Sequence, residues 1–170
     1  MTDDPRTALV DMLAPVLEWL AHELADPTPG ILSSSASSHA LAERLATRWP
    51  LAAPLTQSIA LALRSGVANG SLCDRGEPDA RFCRLAKATP ATHDFSLDLV
   101  SLTGPAAAHM HPAGEITLAL PATTDDHAAR FDGHPPGWVV LPAGSRHVPT
   151  VTGGRMLLLY ALPGGQMKWD

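Results

Sequence analysis

Residues 106–121, AAAHMHPAGEITLALP, hold two histidines separated by one residue and a glutamate four positions after the second. Side chains two positions apart on a β-strand project to the same side, so His109 and His111 would offer their ring nitrogens to the same space. The Pro112–Gly114 turn then lets the chain reverse, and Glu115 begins the returning strand. Neutral imidazoles and a carboxylate that converge from rigid strands are typical ligands of a transition metal.

A second segment, GWVVLPAGSRHVP (137–149), adds His147 just after a glycine-containing turn. Three histidines and one glutamate form a common ligand set for a divalent transition metal with positions left open for water or substrate. The same set suits iron, manganese, zinc, nickel, cobalt or copper, so the residues do not select one metal. Four other histidines in helical or polar loop sequence are interpreted as hydrogen-bonded or surface residues rather than ligands: His22, His39, His127 and His134.

The period of the hydrophobic pattern changes along the chain. Residues 5–67 carry leucines at helical spacing behind an Asp4–Pro5 start signal, with Pro15 expected to kink or split the first helix. From residue 94, short alternating runs separated by Gly/Pro turns predict strands. The expected fold is therefore α+β, mainly β, with an N-terminal helical layer on a C-terminal β-barrel. We expect residues 1–90 to form the helical segment and an Arg-rich connecting loop, and residues 91–170 the barrel, packed as one compact unit.

Composition limits the classes of function. The 170 residues carry 12 Lys/Arg against 17 Asp/Glu, a net charge of −5 without a basic cluster, so nucleic acid is not an expected partner. No apolar run approaches the length needed to span a bilayer, which argues against a membrane partner. The acidic start MTDDPRT predicts a cytoplasmic location. Cys73 and Cys83 lack CxxC spacing and are expected to be free thiols.

The two histidine segments together resemble the cupin superfamily. His109, His111 and Glu115 match its first motif, and Gly137, Pro142, Gly144 and His147 match its second. Both leading glycine spacings are one residue short. Pro121–Ala122 stands where the first motif ends in glycine, and Val151 stands where the second ends in asparagine. The resemblance implies a jelly-roll barrel that binds a metal, and small cupins are often homodimers.

A wider series, CDRGEP (73–78), HPAGEI (111–116) and GGRMLLLYALPGG (153–165), is similar to small bacterial cupin-like proteins that include 4-hydroxylaminobenzoate lyase. That resemblance implies a lyase of nitroaromatic degradation, converting 4-hydroxylaminobenzoate to protocatechuate with release of ammonia. The substrate would be a small aromatic carboxylate.

An anionic aromatic substrate would need a cation and an apolar wall. Arg81 and Arg84 are the preferred carboxylate ligands because Phe82 and Leu85 suggest a partly buried element, although pairing with nearby acids is the alternative. Trp138 is a candidate for the aromatic wall, with core packing as its alternative. Tyr160 is a candidate acid or base because a buried phenol needs a partner.

Three other functions stay open on the sequence. The first is another metal-dependent cupin enzyme, either a dioxygenase or a lyase of the dimethylsulfoniopropionate type. The second is a cupin that binds a small molecule without turning it over, and the third is a structural cupin without metal.

Overall fold

The computed structural model describes residues 4–25 and 32–170, and its first layer is three helices. They are α1 (Pro5–Leu24), α2 (Ser35–Arg48) and α3 (Pro54–Ala68). Asp4 caps α1 by accepting a hydrogen bond from the Arg6 amide at 3.2 Å, and Ser34 and Ser37 form a capping box at the start of α2. The predicted helical half and its start signals are confirmed, since side-chain oxygens satisfy amides that lack partners within each helix.

Pro15 does not split α1. The helix runs on through it, although proline lacks the N–H that would bond the carbonyl of Asp11. Both residues are exposed, so water can reach the freed carbonyl. The opposite side of α1, with Leu9, Leu13 and Leu17, stays buried.

Ten strands follow the helices in the part of the chain that the structure describes, and the first two correct the sequence-based expectation. Arg75–Glu77 and Ala80–Ala86 form a hairpin where a connecting Arg-rich loop was expected. Cys83 and Leu85 are buried while Arg84 between them is exposed, an alternation too short to stand out from its charged neighbours. The strands are β1 (Arg75–Glu77), β2 (Ala80–Ala86), β3 (Phe95–Pro105), β4 (His109–His111), β5 (Glu115–Pro121), β6 (Arg130–Phe131), β7 (Gly137–Leu141), β8 (Ser145–His147), β9 (Thr150–Pro163) and β10 (Lys168–Trp169).

These strands form two antiparallel sheets. The larger has the order β1-β2-β3-β9-β5-β7, with β6 also paired to β9, and the smaller has the order β10-β4-β8. The predicted α+β class, mainly β and jelly-roll-like, is confirmed. Among the described strands the two sheets share no ladder, so the β layer is open rather than a closed barrel.

The larger sheet separates one hydrophobic core from another. On β9, Leu157, Leu159 and Ala161 pack with the helices, whereas Met156, Leu158 and Tyr160 pack on the other face. This division follows from the two-residue period of a strand. One face of the sheet is covered by the helical layer, and the other is left for the smaller sheet and the cavity between them.

No helix within residues 4–25 and 32–170 is both long and apolar enough to cross a membrane.

Candidate metal centre and substrate cavity

Three histidines of the smaller sheet face one glutamate of the larger sheet. His109 and His147 are directly opposite each other on β4 and β8, and His111 lies two residues along β4 on the same side. Glu115 starts β5 and reaches them from the larger sheet. The structure thus brings together all four residues that the sequence predicted as ligands, and their candidate ligand atoms lie within 4.8 Å of one another.

The turn between β4 and β5 sets the position of Glu115. Gly114 has φ +91°, in the region that glycine adopts without strain, and a Cβ there would lie 3.0 Å from the Leu141 carbonyl oxygen. The carbonyl of His111 accepts hydrogen bonds from the amides of Gly114 at 3.2 Å and Gly144 at 2.8 Å. These bonds tie the two turns that precede Glu115 and His147 to the ligand strand β4.

The imidazole nitrogens are too close together to be explained by hydrogen bonding alone. The Nε2 atoms of His109, His111 and His147 are 2.8, 3.1 and 3.2 Å apart in pairs. Each Nε2 carries either a proton or a lone pair, so three mutually contacting nitrogens cannot all pair as donor with acceptor. A metal ion would use all three lone pairs, and cis ligands about 2.1 Å from one ion lie about 3.0 Å apart. The residues therefore fit a divalent metal.

Glu115 is suited to be the anionic ligand. It is fully buried, its Oε1 accepts a hydrogen bond from the Thr117 hydroxyl at 2.5 Å, and its Oε2 lies 2.5 Å from His111 Nε2. Burial alone would raise its pKa, but the interactions with His111 and His147 outweigh burial and lower the pKa to about 2. The carboxylate is thus ionised and ready to bind a cation.

Two of the imidazoles are oriented by groups outside the cluster. His109 Nδ1 lies 3.0 Å from the carbonyl oxygen of Ala107, and His147 Nδ1 lies 2.7 Å from Asp132 Oδ2. Because carbonyl and carboxylate oxygens only accept, both Nδ1 atoms donate, which leaves Nε2 to face the centre. Burial lowers the pKa of His109 and keeps it neutral. Burial also opposes the charge on His147, but Asp132 and Glu115 raise its pKa to about 9.

A cavity of about 750 Å³ opens beside this cluster. His109 and His111 line one side of it, and Arg84 and Tyr160 line another. Burial, followed by the carboxylates of Glu115 and Asp132, raises the pKa of Tyr160 well above its usual value of 10. The phenol is therefore protonated throughout the neutral range and can donate a proton or a hydrogen bond into the cavity.

A row of polar residues crosses the larger sheet on the cavity side. Arg84 on β2 is opposite Asp98 on β3, Asp98 is opposite Tyr160 on β9, and Tyr160 is opposite Thr117 on β5. Asp98 Oδ1 accepts a hydrogen bond from Arg84 Nε at 2.8 Å, and Thr117 donates to Glu115. The row thus links a cation that lines the cavity to the candidate metal ligand Glu115.

Two of the sequence-predicted substrate residues lie elsewhere. Arg81 is three positions from Arg84, and an odd spacing on a strand places the two side chains on opposite faces of β2. On its own face, Arg81 donates a hydrogen bond from Nε to the Cys73 carbonyl at 2.8 Å. Trp138 is opposite Leu118, shares its helix-facing side, and donates from Nε1 to the Trp49 carbonyl at 2.9 Å. Neither residue is among the described residues that line the cavity.

Four residues around the site were not among the site residues predicted from the sequence: Asp98, Asp132, Thr117 and Trp169. The alternation of its strand puts Asp98 on a polar face, but nothing local shows that this face meets a cavity. Asp132 has one local signal, the Asp–Gly pair of a turn. Its positive φ fits the left-handed conformation that Asp tolerates. Trp169 has no such signal. Cys73 and Cys83 are free and buried, as expected.

The chain is similar in sequence to known 4-hydroxylaminobenzoate lyases. A protein-family model described as PnbB, 4-hydroxylaminobenzoate lyase, matches residues 28–169. A 4-hydroxylaminobenzoate lyase of Nocardioides sp. (strain LMS-CY) is 30% identical over 98 residues, covering 55% of this chain and 58% of the relative. A 4-hydroxylaminobenzoate lyase of Pseudomonas putida is 32% identical over 66 residues, 36% of each protein. The matched regions cover less than two thirds of either relative.

Proposed function

The chain belongs to the 4-hydroxylaminobenzoate lyase family, and from that premise we propose that it converts 4-hydroxylaminobenzoate and water to protocatechuate and ammonia. The observation that carries the proposal is the shared cavity, which places a cation, a protonated phenol and the histidines of a metal-competent cluster around one space. Those groups correspond to the carboxylate, the hydroxylamino group and the activated water of this reaction.

Arg84 is the proposed ligand of the substrate carboxylate. Its Nε is engaged by Asp98, which holds the guanidinium plane in place and leaves the terminal nitrogens for a bidentate contact. One strand, β3, lies between β2 and the Tyr160 strand β9. Two strand spacings amount to about 10 Å. A benzoate with a para substituent can span that distance, so its carboxylate could bind Arg84 while its nitrogen substituent lies beside Tyr160.

His109, His111, Glu115 and His147 are the proposed metal ligands. A divalent ion bound there would supply Lewis acidity for cleavage of the N–O bond or for activation of water. The protein's own contribution is orientation, because Ala107 and Asp132 fix the ring nitrogens and Thr117 fixes the carboxylate. Several first-row metal ions bind a set of three histidines and one glutamate, so the ligands do not select one of them.

Tyr160 is the proposed proton donor. Cleavage of the N–O bond releases hydroxide, which leaves most readily as water once it receives a proton. The phenol holds its proton at neutral pH because burial and two nearby carboxylates raise its pKa, and a divalent ion bound at Glu115 would offset that carboxylate and make the phenol a stronger acid. Water then supplies the oxygen that enters the ring, and hydrolysis releases the nitrogen as ammonia, so the overall reaction consumes one water.

The direct test is turnover by protein loaded separately with Fe²⁺, Mn²⁺, Co²⁺, Ni²⁺, Cu²⁺ or Zn²⁺, in parallel reactions without oxygen and in air, and the lyase proposal requires product in the reactions without oxygen. We expect equal amounts of ammonia and protocatechuate from 4-hydroxylaminobenzoate with at least one metal. His111→Ala should abolish turnover, and the exposed His127→Ala is the matched control that should retain it. Absence of product with every metal would refute the lyase proposal. Turnover only with oxygen would indicate a dioxygenase, and binding without turnover would indicate a binding protein.

A further inference from the structure

Trp169 lies at the mouth of the cavity and in contact with the metal centre. Strand β10 pairs with β4, the strand of His109 and His111, and Trp169 is directly opposite His109. Their rings are 5.3 Å apart between centroids and inclined at 73°. This is the edge-on arrangement that aromatic rings prefer. Trp169 also lines the cavity, so one side chain contacts both a candidate ligand and the space that a substrate would fill.

Most of the Trp169 side chain is exposed and does not pack against the rest of the protein. Its relative exposure is 67%, although a tryptophan ring is among the largest apolar surfaces that a chain can bury. Four large hydrophobic side chains are exposed within the described ranges, and two of them, Phe82 and Trp169, line this one cavity. Apolar surface gathered at the rim of a cavity is typical of a binding site.

The strand that carries Trp169 is held in place from both sides. Asp170 forms a 2.8 Å ion pair with Arg146 on β8. The ion pair spans β4, which lies between β8 and β10, and it fixes the far end of β10. On the other side, Met167 is half-buried against the cavity-side core and also lines the cavity. A ring on an ordered strand is pre-organised, so a ligand that contacts it loses little additional entropy by ordering the protein.

We propose that Trp169 is a binding and specificity residue that stacks on the ring of the substrate and selects planar aromatic acids over saturated ones. This inference rests on the proposed function for the identity of the acid, but the stacking itself requires only an aromatic carboxylate in the cavity. Arg84 would bind the carboxylate of such a ligand, and Trp169 would cover the ring beside His109. The alternative role, support of His109 alone, predicts a loss of metal affinity rather than of ligand affinity.

The experiment compares two unreactive acids on the metal-loaded protein. 4-Hydroxybenzoate has a planar ring and cyclohexanecarboxylate a saturated one, with the same charge. Trp169→Ala should weaken 4-hydroxybenzoate binding by about fivefold to tenfold, in the upper part of the range expected for an aromatic pair, and cyclohexanecarboxylate binding by no more than about twofold. Trp169→Phe should restore most of the affinity. Leu61→Ala, at a residue that is 68% exposed on α3, is the matched control and should change neither.

One further measurement makes the result decisive. Metal affinity, measured by chelator competition, should be unchanged in Trp169→Ala, and a loss of metal affinity without selective loss of the aromatic acid would overturn the proposal. Equal weakening of both acids would also overturn it. Failure of the lyase proposal and failure of this inference can be told apart. Trp169 can select aromatic rings in a protein that does not turn the substrate over, and turnover can occur in a protein whose Trp169 contributes nothing to binding.

Discussion

His147 donates a hydrogen bond from Nδ1 to Asp132 Oδ2 across 2.7 Å, while its Nε2 faces His109 and His111. The other oxygen of Asp132 accepts a hydrogen bond from the Thr150 amide at 2.7 Å. The carboxylate is thus fixed at both oxygens, and it fixes the tautomer and the ring orientation of the candidate ligand.

Replacement of Asp132 by asparagine should weaken metal binding by about 10-fold to 100-fold, the usual effect of losing the partner of a ligand histidine. Asparagine keeps the size and tolerates the positive φ at this position, so the fold should be retained. Chelator competition measures the affinity. The exposed Asp125→Asn is the control, and equal affinities of the two variants would contradict a role for Asp132 in orienting His147.

Metal uptake should release about one proton at pH 7. In the metal-free protein the pKa of His147 is about 9, so its imidazole is protonated at neutral pH and must lose a proton to expose its lone pair. Glu115, with a pKa of about 2, is already ionised and releases none. Metal affinity should therefore rise as the pH rises from neutrality towards the pKa of His147.

Calorimetric titrations in buffers of different ionisation enthalpy measure that proton release. Wild-type protein should show a heat of binding that depends on the buffer, and His147→Ala should show a smaller dependence. A buffer-independent heat for the wild type would mean that His147 is neutral before the metal binds.

Arg84 and Arg81 should differ in their effect on substrate binding. Arg84→Gln should raise KM by about tenfold, equivalent to about 1.4 kcal/mol, because a charge-assisted contact is lost while the half-exposed site limits its strength. Arg81→Gln should leave KM within about twofold, since its Nε is bonded to the Cys73 carbonyl outside the cavity. Steady-state kinetics on both variants measures the two KM values. A larger rise in KM for Arg81→Gln than for Arg84→Gln would move the carboxylate site to the other face of β2.

Tyr160→Phe should lower kcat by about 10²-fold to 10⁴-fold with little change in KM, the signature of a lost proton donor. Phenylalanine keeps the ring that packs edge-on against Phe131, with centroids 6.4 Å apart, so the core should be preserved. Metal content and melting temperature serve as controls. An unchanged kcat would assign Tyr160 to packing alone.

Local patterns in the sequence predicted that His109 and His111 lie on the same side of one strand, because strand geometry is local. Spacing by two residues placed His109 and His111 on the same side of β4, as the structure shows. Leucines at helical spacing predicted the three helices for the same reason. The hairpin of β1 and β2 was missed because β1 is short and exposed and two arginines interrupt the apolar pattern of β2, which is stabilised by pairing with β3 rather than by local propensity.

The substrate residues were harder to predict. Arg81 and Arg84 look equivalent in sequence, yet the strand turns them to opposite faces, and of these two residues Arg84 lines the cavity and Arg81 does not. Trp138 was a candidate for the aromatic wall of the substrate site, with core packing as the alternative, and it packs on the helical layer because its neighbour across the sheet, Leu118, faces that way. Which face of a sheet is covered by helices and which by a second sheet is a long-range property.

The sequence by itself determined the identity of the four candidate ligands, the α+β class and the alternation that separates one sheet face from the other. The class, the alternation and the His109–His111 pair depend on residue type and on spacing within single helices or strands, and Glu115 and His147 were recognised from the glycine-containing turns that precede them. Only the tertiary structure decided that Asp132 orients His147, that Arg84 shares a cavity with Tyr160, and that Trp169 covers its mouth. These residues are brought together by sheet pairing across long stretches of chain, and no local period records which distant strand a residue will meet.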